Sequence, residues 1–503
     1  MLLVRQLRPD LQYFNARTGN QCTRKVRFDP YQRCNSSTMA AMSKSIVFIC
    51  SCILPLFAAS LTSGCAVAAQ PETAPAGDAL SATQAGAVDR FIGQFTELGM
   101  FDGVVLVDIG GAVVYRKAFG YANYELGVRH TPKHRFRIAS VSKAVTDTAM
   151  ARLVENGVLQ LDTPIAKYLP DFPSADLITI RQLLDHTSGI AHTNHLDWGD
   201  GSASLSTAEI VNRLAQLPLD FPPGSDSRYS NGGYAVAARI LELIDDAPLT
   251  DVLSGALFEP LGMHDTGHLE DSRTPVPNLV TGYEPGDVPG QRRYPRFYAV
   301  EIRPGGGSLY STVDDLLRFT RAVFREDLVS AQWRREALGV DGDIYLSQGR
   351  SPGFVAKLFY RKSDDMIVIS LANSYAVPAD WADAIAGLSA SDPVSPGWTV
   401  IDPIRKSIDA DHPMIGTYTN SFGGGRVEIA RSPLDHLTVT YGDEDRATAL
   451  VPLSDGAFLM PTYFQRCHQA VPKGAVMCRM LSGNERYDSV LTPKLSTENN
   501  SGT

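Results

Sequence analysis

A serine and a lysine with two residues between them, Ser140 and Lys143, stand at the start of a segment with helical periodicity. Apolar residues recur behind them at the spacing of a buried helix face, at Val145, Ala149, Met150 and Leu153. The pattern stops at Asn156 and Gly157, a common helix C-terminus. It therefore predicts a helix over residues 143–156, with Ser140 at or near its first turn and Lys143 one turn further on, on the same face.

This geometry would suit nucleophilic catalysis. A serine hydroxyl becomes a strong nucleophile when a neighbouring base removes its proton, and a lysine can be that base only while its amine is neutral. The ordinary lysine pKa of about 10.4 would have to fall by roughly three units, and burial near a helix N-terminus acts in that direction. The alternative for an isolated Ser-x-x-Lys is a capping serine followed by a surface lysine.

Two later segments favour the catalytic interpretation. The first is Tyr229-Ser230-Asn231, and the second is Ser347-Gln348-Gly349-Arg350, which precedes two strand-like runs at 355–360 and 366–371. In this order, the three segments resemble the three-motif active site of serine β-lactamases and penicillin-binding proteins. The branch they resemble is that of class C β-lactamases, D-amino-acid peptidases and esterases, in which Tyr-x-Asn is the second motif. The resemblance extends over residues 86–385.

The fold implied by the resemblance agrees with the pattern of the chain. Residues 103–115 read as a hairpin around Gly110-Gly111, residues 354–371 read as a second hairpin, and helical segments lie between them. Strands at both ends with helices between predict an α+β fold: an antiparallel sheet flanked by helices, assembled from distant segments, plus a helical lobe. The resemblance places the active site between sheet and lobe.

The resemblance also implies roles for the residues of the first two motifs. Ser140 would be the nucleophile and Lys143 its general base during acylation. Tyr229 would be the second base and would help to protonate the leaving group, while Asn231 would hydrogen-bond Lys143 and the substrate. A phenol ionises near neutral pH only beside a positive charge, which here would be the charged form of Lys143. A charged lysine cannot itself accept a proton, so only one of Lys143 and Tyr229 can be the base at a given step.

The third motif departs from the family. Its Lys-Thr-Gly or His-x-Gly is replaced by Ser347-Gln348-Gly349, which removes the cation that binds a substrate carboxylate. The substrate would still lie against Ser347, Gly349 and Arg350, and the N–H groups of Ser140 and Arg350 would form the oxyanion hole. Arg350 would either supply the missing charge or be a solvated residue at the start of a strand. No cofactor and no metal are implied.

The function expected from these residues is hydrolysis of an ester or a D-amino-acid amide or peptide, a small-molecule or peptide substrate, through an acyl-enzyme on Ser140. Two alternatives stay open. One is a β-lactamase or D-alanyl-D-alanine carboxypeptidase, and the other is a catalytically silent protein that binds peptidoglycan or a protein partner. A polar loop containing His192, His195 and Asp197 is expected near the mouth of the site, and His186 is expected to be a buried structural residue.

The composition is that of a globular protein with no nucleic-acid partner. The chain has 503 residues and a formal net charge of −9, and no basic run with interleaved aromatics occurs. A signal peptide can be read over residues 42–69, with Lys44, an apolar run at 46–61, and small residues up to Ala69. Secretion or a periplasmic location is therefore expected.

The segments around this signal complete the N-terminal prediction. Residues 1–41 would be an upstream extension, with translation starting at Met42 or Met39, and residues 70–85 would be a flexible tether. A genuine long N-terminus or an uncleaved anchor is the alternative. Association with a membrane would come only from an uncleaved signal or from lipidation of Cys65.

The C-terminal part has a different pattern. Residues 386–410 contain several prolines and read as a linker, and short alternating runs over 411–495 predict an all-β accessory domain, either a barrel or a small sandwich. Its start, Gly416-Thr417-Tyr418, resembles the lipocalin-like domain attached to many members of this hydrolase group. Cys467 and Cys478 are expected to form a disulfide in an exported protein, with two buried thiols as the alternative.

Overall fold

The computed structural model describes residues 79–493, apart from gaps at 194–204, 272, 287, 289, 296–298, 327, 337–341, 375–380, 391–411, 421–425, 443–446, 454–455, 461–464, 470–474 and 481–488. All described residues belong to one compact unit, Pro71–Thr503. The predicted upstream extension, the predicted signal peptide and most of the predicted linker lie outside the described residues.

The helices and strands follow one another as the sequence pattern predicts for an α+β chain with an all-β end. The helices are α1 (Ala82–Glu97), α2 (Ser142–Glu155), α3 (Ile180–Leu184), α4 (Thr207–Leu214), α5 (Asn231–Asp245), α6 (Leu249–Leu253), α7 (Val313–Phe324), α8 (Ala331–Glu336) and α9 (Trp381–Ser389). Shorter helical turns are Ala139–Val141, Ile165–Lys167, Ser254–Phe258 and Val300–Ile302.

The strands fall into two groups. Those of the first domain are β1 (Gly103–Ile109), β2 (Ala112–Phe119), β3 (Tyr121–Asn123), β4 (Val128–Arg129), β5 (Phe136–Arg137), β6 (Gly267–His268), β7 (Glu284–Pro285), β8 (Arg292–Arg293), β9 (Leu309–Ser311), β10 (Ile344–Ser351), β11 (Phe354–Arg361) and β12 (Met366–Ala372). Those of the second are β13 (Gly416–Asn420), β14 (Arg426–Arg431), β15 (Leu437–Tyr441), β16 (Thr448–Ala449), β17 (Val451–Pro452), β18 (Phe458–Met460), β19 (Gln465–Gln469), β20 (Val476–Met480) and β21 (Ser489–Pro493).

The main sheet of the first domain joins both ends of that domain. Its five antiparallel strands have the order β10-β11-β12-β1-β2, and Gly103 in β1 pairs with Ala372 in β12. Both predicted hairpins are therefore present, side by side in one sheet. The predicted α+β architecture is confirmed.

Side chains alternate across this sheet, so it has two apolar faces. On β11, Ala356 and Leu358 belong to the core shared with the helical lobe, whereas Val355 and Phe359 belong to the core under α1 and α9. Helix α2 lies inside the lobe, and residues 142–151 of it are all buried. A helix that is buried on all sides has no solvent face, so any polar residue on it needs a partner inside the protein.

The second domain is a single nine-stranded antiparallel sheet that curls into a nearly closed barrel. The strand order begins with β16 and ends with β17, which follow each other directly in the chain, and the buried Leu450 lies between them. This favours the barrel over the sandwich; the likeness to a lipocalin stays a prediction. Cys467 on β19 and Cys478 on β20 are paired in register and form the predicted disulfide.

The barrel packs against the outer face of the first domain. Val451 and Leu459 share an apolar cluster with Trp381, and the Ala449 N–H donates to the carbonyl of Gly286 at 3.0 Å. Within the described part of the chain, no helix combines the length and apolarity needed to cross a membrane.

Trp381 provides a test of the outer core. It is fully buried, its ring lies 5.1 Å or less from the centroids of Phe91, Phe95 and Phe101, and its indole N–H donates to Ser370 Oγ at 3.0 Å. We expect Trp381→Ala to lower the free energy of unfolding by about 3–5 kcal/mol, because it leaves a cavity and an unpaired hydroxyl. Denaturant unfolding measures this. Leu126→Ala, at a side chain that is 78% exposed, should change it by less than about 0.5 kcal/mol.

Candidate active site

Ser140 lies on the helical turn Ala139–Val141, which leads directly into α2. The turn is anchored because Ile138 N–H donates to Leu309 O at 3.0 Å and Val141 N–H donates to Ile138 O at 3.1 Å. Ala139 has a φ of 46°, a left-handed conformation that costs a non-glycine residue energy and is held by the surrounding structure. The predicted position of Ser140, at the start of the helix, is what the structure has.

The amine of Lys143 is buried in the lobe. Its Nζ donates to Asn231 Oδ1 and to the carbonyl of Gly306, both at 2.6 Å, and the residue is 8% exposed. Burial lowers the pKa of Lys143 well below its ordinary value, and the positive charge of Arg303 acts in the same direction. These causes favour the neutral amine that a general base needs.

Tyr229 bridges the lysine and the serine. Its hydroxyl lies 2.7 Å from Ser140 Oγ, and its ring centroid lies 4.7 Å from Lys143 Nζ. Among the described residues, Ser140 Oγ bonds to this phenol and not to the lysine amine. Tyr229 is 47% exposed, and partial desolvation raises its pKa, although the hydrogen bond with Ser140 and the charge of Arg303 oppose the rise. Tyr229 is therefore a neutral phenol near pH 7, which can donate a proton.

Two histidines hold the second motif at the start of α5. Ser230 caps the helix by accepting from the Gly233 N–H at 3.2 Å. His186 Nδ1 accepts from the Ser230 N–H at 3.2 Å, and His192 Nδ1 accepts from the Asn231 N–H at 3.1 Å. Both imidazole rings also pack near Tyr229.

These contacts decide the predicted roles of the two histidines. His186 is partly rather than fully buried and has a structural contact, and burial together with the charge of Lys143 lowers its pKa to about 4. His192 is at the site as expected, but through its contact with the backbone of Asn231. His195 and Asp197 of the same predicted loop lie outside the described residues.

The third motif lies on β10, the edge strand of the main sheet. This strand runs next to the turn Ala139–Val141, the serine turn. Ser347 and Arg350 line the site. Gly349 comes so close to the serine turn that a Cβ there would lie 2.0 Å from Ile138 O and 3.0 Å from Ser140 N. Only glycine allows this approach, which sets the β10 backbone beside the N–H of Ser140.

These segments enclose a cavity of about 530 Å³. Six of the seven predicted site residues line it, and the seventh, Gly349, backs onto the serine turn. The residues that line the cavity are Ser140, Lys143, Ala144, Asp147, Tyr229, Asn231, Arg303, Tyr345, Leu346, Ser347, Gln348 and Arg350. The volume is that of a site for a small molecule.

Sequence reasoning missed two charged residues of this cavity, Asp147 and Arg303, which are 6% and 3% exposed. A signal existed for Asp147, since it is a carboxylate one turn after Lys143 in a helix with an apolar face. The sequence carried no signal for Arg303, because the position of Arg303 depends on how the glycine turn (residues 303–307) folds against α2. In that turn, Gly306 and Gly307 N–H groups donate to Arg303 O, and Gly305 O accepts from Thr146 Oγ1 at 2.8 Å.

Comparison with known proteins agrees with this geometry. The sequence profile of the Beta-lactamase family matches residues 88–385, more than half of the chain. Esterase EstB of Burkholderia gladioli is 30% identical over 290 residues, covering 50% of this chain and 72% of that protein. Penicillin-binding protein 4 of Amycolatopsis lactamdurans is 34% identical over 243 residues, covering 46% of this chain and 62% of that protein.

A solved structure extends the comparison to the fold. The D-amino acid amidase of Ochrobactrum anthropi SV3, crystallised with D-phenylalanine, superposes with a TM-score of 0.50 at 23% identity. The superposition covers 58% of this chain and 91% of the amidase. With its profile match, its relatives and its antiparallel sheet and helical lobe, the chain belongs to the Beta-lactamase family.

Proposed function

We propose that this protein is a serine hydrolase that forms an acyl-enzyme on Ser140 and hydrolyses an ester or a D-amino-acid amide or peptide. The observation that carries the proposal is the position of Ser140 Oγ, 2.7 Å from the Tyr229 hydroxyl in a cavity that also holds the buried amine of Lys143. Relatives named esterase and D-amino acid amidase support the reaction class. We also propose that the protein is exported, on the signal read over residues 42–69.

Acylation begins when the Tyr229 hydroxyl takes the proton of Ser140 and passes its own proton to the neutral amine of Lys143, which is the final acceptor. The serine oxygen forms a bond to the substrate carbonyl carbon, and the carbonyl electron pair moves to oxygen. As the tetrahedral intermediate collapses, the bond to the leaving group breaks and that group takes a proton from the Tyr229 hydroxyl. Tyr229 recovers a proton from the Lys143 ammonium, so the residues end the step in their starting protonation states.

Deacylation uses the same groups, and water takes the place of the leaving group. A water molecule gives a proton to Lys143 through Tyr229, and its oxygen attacks the acyl carbon. The bond to Ser140 breaks, and the serine oxygen takes the proton back. The carbonyl of Gly306 and the side chain of Asn231 hold the lysine amine in place throughout.

The charges around the cavity separate the substrate classes. Ser347 cannot supply the cation that the family uses for a substrate carboxylate, which favours an ester or a neutral amide. Arg303 and Arg350 line the same cavity, and this observation supports the second candidate, a β-lactamase or D-alanyl-D-alanine carboxypeptidase. A matched pair of p-nitrophenyl esters with and without a carboxylate in the acyl part, with nitrocefin beside them, separates the two.

The nucleophile and its base give the first test of the proposal. We expect Ser140→Ala to abolish labelling by a fluorophosphonate and to reduce kcat for a p-nitrophenyl ester by more than about 10³-fold, since no acyl-enzyme can form. Lys143→Met should reduce kcat by about 10²–10⁴-fold through loss of the base. Hydrolysis assays with the p-nitrophenyl ester measure kcat, and mass spectrometry of the labelled protein measures the labelling.

The matched control is Ser351→Ala, which removes a buried serine outside the cavity lining and should leave labelling unchanged. A wild-type protein that is folded but takes no label and turns over none of these substrates would instead support the catalytically silent binding protein.

The close approach of β10 gives a second test. We expect Gly349→Ala to lower kcat by about 10²–10³-fold, because the added Cβ pushes β10, and with it the N–H of Arg350, away from Ser140. Gly255→Ala adds a Cβ that meets no atom within 4 Å and should keep wild-type turnover. Equal turnover in the two variants, at equal thermal stability, would show that β10 does not form the oxyanion site.

A further inference from the structure

A buried carboxyl group lies one helical turn beyond the lysine. Asp147 follows Lys143 by four positions on α2, so both side chains project from the same face of the helix. Asp147 is 6% exposed and Lys143 is 8% exposed, and both line the 530 Å³ cavity. Burying a carboxyl group costs free energy unless the group has a hydrogen-bond partner inside the protein.

Tyr234 of α5 supplies that partner. Its hydroxyl donates to Asp147 Oδ1 at 2.9 Å and lies 3.2 Å from the carbonyl of Leu184. Its ring lies 4.9 Å from Lys143 Nζ. Tyr234 therefore contacts both members of the pair: its hydroxyl binds the carboxyl group and its ring lies beside the amine.

The charges that act on Lys143 are of both signs. The titratable and charged groups near Lys143 or Asp147 are Arg303 of the turn 303–307, Tyr229 before α5, Tyr234 of α5, His186 after α3 and Tyr345 of β10. Arg303 opposes a positive charge on Lys143, and Asp147 favours one. Burial raises the pKa of Asp147, whereas the hydrogen bond from Tyr234 and the positive charge of the Lys143 ammonium lower it, so the carboxylate form is favoured when Lys143 carries the proton.

We propose that Asp147, held by Tyr234, is a positioning residue that sets the basicity of Lys143 and stabilises the ammonium formed when Lys143 takes the proton of Ser140. The inference rests on the proposed function, because it assigns Lys143 the role of base. The step moves one proton from Ser140 Oγ to Lys143 Nζ, and Asp147 contributes the negative charge of its carboxylate without bonding to the substrate. The pair titrates as a unit, so its pH dependence belongs to both residues.

The first experiment follows kcat/KM for a p-nitrophenyl ester against pH. Asp147→Asn removes the negative charge, which lowers the pKa of Lys143 and moves the acid limb of the profile to lower pH by about one unit or more. The plateau should fall roughly tenfold, because a weaker base receives the proton. Tyr234→Phe keeps the ring near Lys143 but removes the hydrogen bond to Asp147, so it should shift the limb in the same direction by less.

The matched control is Thr148→Val on the same helix. Thr148 is 1% exposed and donates to Ala144 O at 2.7 Å, so its loss disturbs a buried hydrogen bond next to Asp147 without changing a charge. The acid limb should stay where it is in the wild-type protein. If Asp147→Asn and Thr148→Val both lower the thermal stability and neither moves the limb, Asp147 has only a structural role and the proposal is wrong.

A second measurement does not depend on turnover. In protein labelled with ¹⁵N at the lysine amines, with Lys143→Met used to assign the signal, the Lys143 amine should titrate at lower pH in Asp147→Asn than in the wild type. An unchanged titration would overturn the proposal. A shifted titration in a protein that hydrolyses no ester would leave the charge coupling in place and contradict only the proposed function.

Discussion

The burial of one amine organises the whole site. Lys143 Nζ has its hydrogen bonds inside the protein, to Asn231 of α5 and to the carbonyl of Gly306. Because desolvation penalises the ammonium, the pKa of Lys143 lies well below its ordinary value. The helix that carries Lys143 must therefore be enclosed by the lobe and the sheet, and the serine turn, α5 and the glycine turn all meet where it begins.

The site is built from segments far apart in the chain. The serine turn, the start of α5, the turn 303–307 and β10 come together because β1 and β12 pair and bring the two ends of the domain into one sheet. Glycine appears where the chain passes close to this site: Gly306 lies against the side chains of Lys143 and Asn231, and Gly349 lies against the backbone of Ile138 and Ser140. The barrel stands apart from this arrangement, packed on the outer face of the sheet through the cluster around Trp381.

The electrostatics of the cavity differ from those implied by the family motifs. The third motif has a serine where a cation is usual, and positive charge reaches the cavity from Arg303 on another segment. This arginine depresses the pKa of Lys143, whereas Asp147 raises it. The basicity of the amine thus depends first on its burial and then on two buried groups of opposite charge, and Tyr229 stays a neutral phenol beside the lysine and the serine.

The sequence alone determined the motifs, their order and the class of fold. Short-range spacing carries that information: Ser140 and Lys143 share one helix, and the strands alternate with period two. Only the tertiary structure decided that Arg303 lies in the cavity with the amine, that His186 and His192 hold the second motif, and that the nine β strands curl into a nearly closed barrel. These facts depend on contacts between residues distant in the chain and on burial, and no local pattern of residues encodes either.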